Sequence, residues 1–270
     1  MRAFELIDTW PVDNAAAAVI DRNGEIHCHG DESREFRLAS VTKVITAWAV
    51  LVACEEGTVS LDDEVGQGGC TLRHLLAHAG GYPFDGEAAV GAAGTKRIYS
   101  NTGYELAAAH LATRSEMSFW DYVVSAVFEP LGIVASPQSG SAAKDARLDI
   151  VNLSLFLAEL RRSRLISRDT FVDAVTPQFG DLEGIVPGVG RFDPCPWGLG
   201  PEIRGAKSPH WTSPNNSAAT YGHFGGSGTF VWVDPMADVA CAVLTGREFD
   251  EWALAHWPQF SSAVLEELRR

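Results

Sequence analysis

Apolar positions along the chain change their period three times, and each change marks a different kind of element. Near the start, AAAAVI at 15–20 and EIHCHG at 25–30 flank the turn signal Asn23-Gly24, which predicts two short strands in a hairpin. From Ser40 the period lengthens: Val41, Val44, Ile45, Trp48 and Val52 recur at helical spacing, and Gly57 offers a stop. TLRHLLAHA, GYELAAAHLATR, FWDYVVSAVF and DIVNLSLFLAELRR predict further helices, separated by Gly- and Pro-rich pieces. After Tyr221 the strand pattern returns in YGHFGG, TFVWVD and DVACAVLT, with Asp234-Pro235 at a turn. The last segment, WALAHWPQFSSAVLEELRR, reads as a helix broken near Pro258.

Strands at both ends with helices between them predict an α/β (α+β) fold. An antiparallel sheet would be built from both chain termini, with flanking helices and an inserted helical lobe. The expected organisation is one domain, its sheet-bearing lobe at approximately 1–58 and 200–270 and its helical lobe at approximately 59–199. A cleft between two such lobes is where a site is expected.

Composition narrows the function. The 270 residues are 46% hydrophobic and 21% charged, enough for a sizeable core. A formal charge of −14 excludes nucleic acid and an anionic membrane surface as expected partners. The five cysteines (Cys28, Cys54, Cys70, Cys195, Cys241) follow no metal-type spacing and make no disulfide framework. The opening MRAFELIDTWPVD lacks a basic-then-apolar leader, and no run approaches the ~20 apolar residues of a membrane span; the expectation is a cytoplasmic protein.

Candidate chemistry begins at Ser40-Val41-Thr42-Lys43. On a helix this spacing sets the lysine beside the hydroxyl, and an amine kept partly neutral by burial can take the serine proton. With 19 serines and four lysines, about 0.3 Ser-x-x-Lys matches are expected by chance. The second match, Ser141-Ala142-Ala143-Lys144, sits in a Ser/Gly-rich loop and reads as a decoy. Taken alone, Ser40 reads as a helix cap. Tyr99-Ser100-Asn101 supplies a phenol that can relay protons and an amide that can hold a carbonyl or amide; its bland alternative is a turn capped by Asn101. His223-Phe224-Gly225-Gly226 places a histidine on a glycine-rich strand. The missing side chains of Gly225 and Gly226 would let a substrate lie against the backbone, and the Gly226 N–H would be free for an oxyanion.

Ser-x-x-Lys, Tyr-x-Asn and His-x-Gly, in this order, resemble the three signatures of serine β-lactamases and penicillin-binding proteins. The variants are similar to the branch holding class C β-lactamases, D-alanyl carboxypeptidases and family VIII esterases. LASVTKVITAWAVLVACEEGTVSLDDEV, TLRHLLAHAGG, YSNTGYELAAAHL, PLGI, PWGLG and GHFGGSGTFVWVDP carry the likeness over nearly the whole chain. The resemblance implies a β-lactamase/transpeptidase-like fold, with Ser40 as acylated nucleophile and Lys43 as its activator. Tyr99 would be general base and acid alongside Lys43, Asn101 would orient the substrate amide, and His223 would complete the network around Tyr99. The N–H groups of Ser40 and Gly226 would form the oxyanion hole, worth ~3 kcal/mol per donor.

The implied activity is hydrolysis of an ester, amide or β-lactam carbonyl in a small molecule, a D-amino-acid peptide included, through an acyl-enzyme without metal or other cofactor. Two departures favour an intracellular esterase or amidase. Class C enzymes carry lysine where this chain has His223, and the Glu-x-x-Leu-Asn segment of class A enzymes is missing. The alternatives are a class C-type β-lactamase, a D-alanyl carboxypeptidase, or a penicillin-recognising protein that acylates without turnover. His27 with His29, and His74 with His78, have metal-like spacing but read as a strand edge and a structural helix. Trp197, Trp211, Tyr82 and Phe84 are candidates for the cleft wall.

Overall fold

The computed structural model describes residues 1–269. β1 (Ala15–Ile20) and β2 (Ile26–Gly30) form the expected hairpin. Its turn is Asp21–Gly24, with Gly24 at φ 86° rather than Asn23-Gly24 at the centre, and the Asp21 carboxylate accepts from the Asn23 and Glu25 N–H groups. β3 (Phe36–Arg37) pairs with β4 (Arg147–Leu148), and β5 (Gly184–Val186) with β6 (Gly190–Phe192). β7 (Glu202–Ile203), β8 (Tyr221–Gly225), β9 (Thr229–Asp234) and β10 (Val239–Thr245) complete the main sheet, ordered β2-β1-β10-β9-β8-β7 and antiparallel throughout. The first and last parts of the chain thus meet at β1 against β10, with Ala17 opposite Val243.

The helices are α1 (Thr42–Glu55), α2 (Leu72–Leu76), α3 (Asn101–Ser115), α4 (Phe119–Val123), α5 (Glu129–Leu131), α6 (Ile150–Arg161), α7 (Arg168–Ala174) and α8 (Glu251–Leu268). Side chains of the sheet alternate between two cores. Ala16, Ala18, Val231, Val233, Ala242 and Leu244 face the core shared with α1 and α6. Ala17, Val19, Trp232, Cys241 and Val243 face the core shared with α8 and a 3-10 segment, Arg2–Thr9, that the apolar pattern did not announce. Both faces are covered, so β8, β9 and β10 are buried along their whole length.

α8 runs unbroken through Pro258, against the expected break there. Proline in a helix interior costs ~3 kcal/mol. The helix tolerates it because Trp257 and Phe260, on either side, are fully buried against the sheet, each burial contributing roughly 1.5–3 kcal/mol. Tertiary packing outweighs the local preference.

Two contacts aim the cleft. Leu38 and Ala39 lead into a 3-10 turn, Ala39–Val41, from which α1 continues. The loop 141–146 docks on the first turns of α1: Thr46 Oγ1 donates to Ala142 O at 2.6 Å, and Ala146 N donates to Thr42 Oγ1 at 3.1 Å.

Candidate active site

Ser40 sits in the turn before α1, next to Ala39 at φ 45°, a left-handed conformation that costs a residue with a Cβ of order 1–3 kcal/mol. Its side chain makes no cap bond. Lys43, one turn on, is fully buried. Its Nζ lies 3.3 Å from Ser40 Oγ, 2.6 Å from Asn101 Oδ1 and 3.0 Å from the carbonyl of Ala143. Burial, the largest cause, and the Lys144 charge lower its pKa to about 7, against the opposing pull of Glu105 and Asp85. The loop read as a decoy therefore supplies a ligand to the lysine, through its main chain.

Tyr99 precedes α3. The cap of that helix is Ser100, whose Oγ accepts from Gly103 N at 2.9 Å, which leaves the Asn101 amide free for Lys43. Asn101 Nδ2 donates to Asp85 Oδ1 at 3.1 Å, fixing the amide with its oxygen toward the lysine. Asn101 is buried and lies off the cavity wall. The Tyr99 phenol is pushed well above its usual range by burial, partly eased by its hydrogen bond to Ser40. His78, at φ 55°, packs against Tyr99 with the rings tilted and 4.4 Å between centroids, and accepts from Ser100 N through Nδ1 at 3.1 Å. His74 instead caps α2 through Thr71, so the two histidines do not converge. His27 and His29 likewise go separate ways, to Asp21 and Asp8.

His223 lies on β8. Its Nδ1 is 2.6 Å from Phe224 O, a group that can only accept, so the proton is on Nδ1 and bare Nε2 faces the Tyr99 hydroxyl at 3.4 Å. Burial and the Lys43 charge lower its pKa to about 3, and the imidazole is neutral.

The two glycines that follow do different things. A Cβ on Gly225 would lie 2.3 Å from Leu38 O and 2.5 Å from Thr229 Oγ1: its bareness lets β8 lie against the Ser40 turn, and it does not line the cavity. Gly226 faces open space in the cavity, and its carbonyl accepts from Phe249 N at 2.8 Å. Among the described residues, neither the Ser40 nor the Gly226 N–H finds an acceptor.

A cavity of about 230 Å³ opens on Ser40, Gly226 and His223 between walls of Phe84, Pro187, Trp197 and Phe249. Of the wall candidates, Trp197 and Phe84 are there. Tyr82 is turned away to accept from Gln67 N, and Trp211 donates to buried Glu202. A second cavity of about 260 Å³ shares Phe84, Tyr99 and Pro187 and extends to Ile98 and Ile185; Lys96 and Arg191 at its rim are both paired with Glu183. Sequence reading missed Phe249 and the turn Val186–Val189.

It also missed the buried support behind the site. Glu202 Oε1 meets Lys207 Nζ at 2.8 Å and His210 Nε2 at 3.1 Å, and its Oε2 accepts from Trp211 Nε1 at 2.7 Å. Burial alone would raise the Glu202 pKa, but the Lys207 and His210 partners hold it well below the usual range. Arg97 staples the floor under Tyr99 by donating to the carbonyls of Cys195, Ala77 and Gln178.

An antiparallel sheet closed by both chain ends, with a serine in the turn that opens a helix and a lysine in that helix's first turn, is the arrangement of the β-lactamase-like serine hydrolases. The family model for β-lactamase matches residues 11–149, just over half of the chain, and the chain belongs to that family, whose members act on small molecules. It is similar to a crystal structure of a β-lactamase from Mycobacterium bovis, with 47% identity, a TM-score of 0.96, and coverage of 98% of this chain and 99% of that one. A penicillin-binding protein of Bacillus subtilis (strain 168) is 28% identical over 131 residues, covering 36% of this chain and 29% of that protein, so the match spans less than a third of that curated relative. Unliganded simvastatin synthase from Aspergillus terreus shares the fold at a TM-score of 0.81 and 15% identity, covering 100% of this chain and 98% of that one. No helix among the described residues is long and apolar enough to cross a membrane.

Proposed function

We propose that the protein hydrolyses uncharged esters or amides with an apolar group beside the scissile carbonyl, through an acyl-enzyme on Ser40. The observation that carries this reading is the character of the cavity. Its described wall holds aromatic and aliphatic side chains and no lysine or arginine, and His223 is neutral. A carboxylate-bearing substrate would find no cation to replace its water there, whereas an apolar group gains ~25 cal/mol per Å² buried.

In the proposed mechanism Ser40 Oγ attacks the carbonyl carbon while its proton passes to Lys43 Nζ. A neutral amine has two N–H groups and one lone pair; Asn101 Oδ1 and Ala143 O take the two hydrogens, which leaves the lone pair toward Ser40. The raised phenol pKa keeps Tyr99 protonated at rest, so it is not the resting base and its hydroxyl serves as a relay that gives up one proton as it takes another. The N–H groups of Ser40 and Gly226 receive the oxyanion. The proton held by Lys43 then returns through the Tyr99 hydroxyl to the departing oxygen or nitrogen as the carbonyl re-forms. Water repeats the sequence on the acyl-enzyme. His223 Nε2 accepts from Tyr99 and keeps its hydroxyl aimed.

The likeness to the Mycobacterium bovis β-lactamase favours lactam hydrolysis as a second reading. Hydrolysis of p-nitrophenyl butyrate and of a chromogenic cephalosporin, by the wild type and by Ser40→Ala, tests both. Ester turnover that disappears in Ser40→Ala is expected. Turnover retained in that variant would remove Ser40 from the mechanism, and faster cephalosporin than ester turnover would reverse the substrate preference.

A further inference from the structure

Behind the turn that walls the catalytic cavity lies a separate cavity of about 270 Å³. Val186, Pro187 and Gly188 face the catalytic side, whereas Val189 faces the rear one; the turn is closed by Val189 N donating to Val186 O at 3.0 Å. Leu254, Pro209 and Pro258 give the rear cavity apolar walls, and Arg204 brings a charge to it.

Arg204 is placed unlike the other cations near the site. Lys96 and Arg191 are paired with Glu183, Lys207 with Glu202, and the Arg97 fork is saturated by carbonyls. The half-buried Arg204 guanidinium has no described carboxylate within 4.0 Å. Its Nη1 donates to Gly205 O at 3.2 Å, its Nη2 to no described acceptor, and its buried Nε has no partner. Burial holds its pKa below the ordinary value, with Asp234 offsetting part of that. A partly desolvated charge without a counter-ion is unfavourable, and an anion supplied from outside would relieve it. His210 adds no donor, because Thr212 occupies its Nδ1 and Glu202 its Nε2. The chain carries −14 overall, so an anion held here is held by local contacts against the general field.

We propose that this cavity is an accessory binding site for a small organic carboxylate with an apolar body. The carboxylate accepts from the Arg204 Nη groups, and the body lies on Val189, Leu254 and the prolines. A cavity of this size, mostly apolar with one convergent charge, has the usual make-up of a small-molecule site. The proposal is independent of the activity assigned to Ser40.

Phenylacetate titrated into the wild-type protein by calorimetry is the test, with benzyl alcohol as the uncharged match. One-to-one binding is expected, at least about tenfold weaker in Arg204→Gln and for benzyl alcohol, since a charge-assisted hydrogen bond is lost in each. Gly226→Leu, which fills the catalytic cavity instead, is expected to bind as the wild type does. Binding that survives Arg204→Gln, binding removed by Gly226→Leu, or no saturation up to about 10 mM, a free energy near −3 kcal/mol, would each overturn the proposal. Should Arg204→Gln fail to fold, Leu254→Trp fills the rear cavity while keeping the charge, and must abolish binding.

Discussion

Lys43 Nζ lies 2.6 Å from Asn101 Oδ1, closer than its 3.3 Å to Ser40 Oγ. The amide thus sets the direction of the amine, and Asp85 sets the direction of the amide.

That chain of contacts predicts a pH profile. With the Lys43 pKa at about 7, kcat/KM should rise with pH through a single limb near 7, as the amine loses its proton. Asn101→Asp puts a negative charge against the amine, which favours the ammonium and should move the limb upward by roughly 1–3 units. Rate–pH profiles of both proteins check this; a limb that stays in place in the variant would mean that the titrating group is not Lys43. His223, lowered to about 3, should contribute no limb of its own between pH 5 and 8.

The two glycines of the His-x-Gly segment should respond oppositely to alanine. Gly225→Ala drives a methyl into Leu38 O and Thr229 Oγ1, so the Ser40 turn must move, at a cost of ~1–3 kcal/mol. Activity should fall by far more than stability. Gly226→Ala meets nothing within 4 Å and should fold normally, with a raised KM for bulky substrates. Thermal melts beside ester kinetics separate the two outcomes.

The buried ion pair supports the floor of the site. Lys207→Met leaves the Glu202 charge without its closest cationic partner and should cost about 3–5 kcal/mol in urea unfolding. The double variant Lys207→Met with Glu202→Gln should recover much of that. A double variant no more stable than the single one would show that Lys207 acts through its bonds to the Pro196 and Ile203 carbonyls instead.

What the sequence could carry was local chemistry. Ser40 and Lys43 are one helical turn apart, and Tyr99 and Asn101 flank one cap, so their proximity is written in spacing. β1, β9 and β10 were legible because each keeps a dense apolar run, and β2 because a turn signal precedes it. Phe249 and the turn Val186–Val189 were not, since an aromatic or a valine reads as core unless topology brings it to a cleft. The sequence suggested that Gly225 makes room for substrate, whereas it makes room for Leu38, a contact that only the topology creates. The pairing of Glu202 with Lys207 follows from a short loop path that no periodicity encodes. Pro258 misled because its local cost is visible in sequence, whereas the sheet under Trp257 and Phe260 is not.

The Ala143 carbonyl on Lys43 has a consequence for how this protein can vary. A peptide oxygen is the same whatever side chain its residue bears, so what the amine needs from the loop 141–146 is its path, and the buried Ala142, Ala143 and Ala146 keep that path by their smallness. A larger side chain at any of the three would shift the oxygen, and a one-residue insertion or deletion there would silence the enzyme. At this position heredity is constrained in volume and length rather than in chemistry.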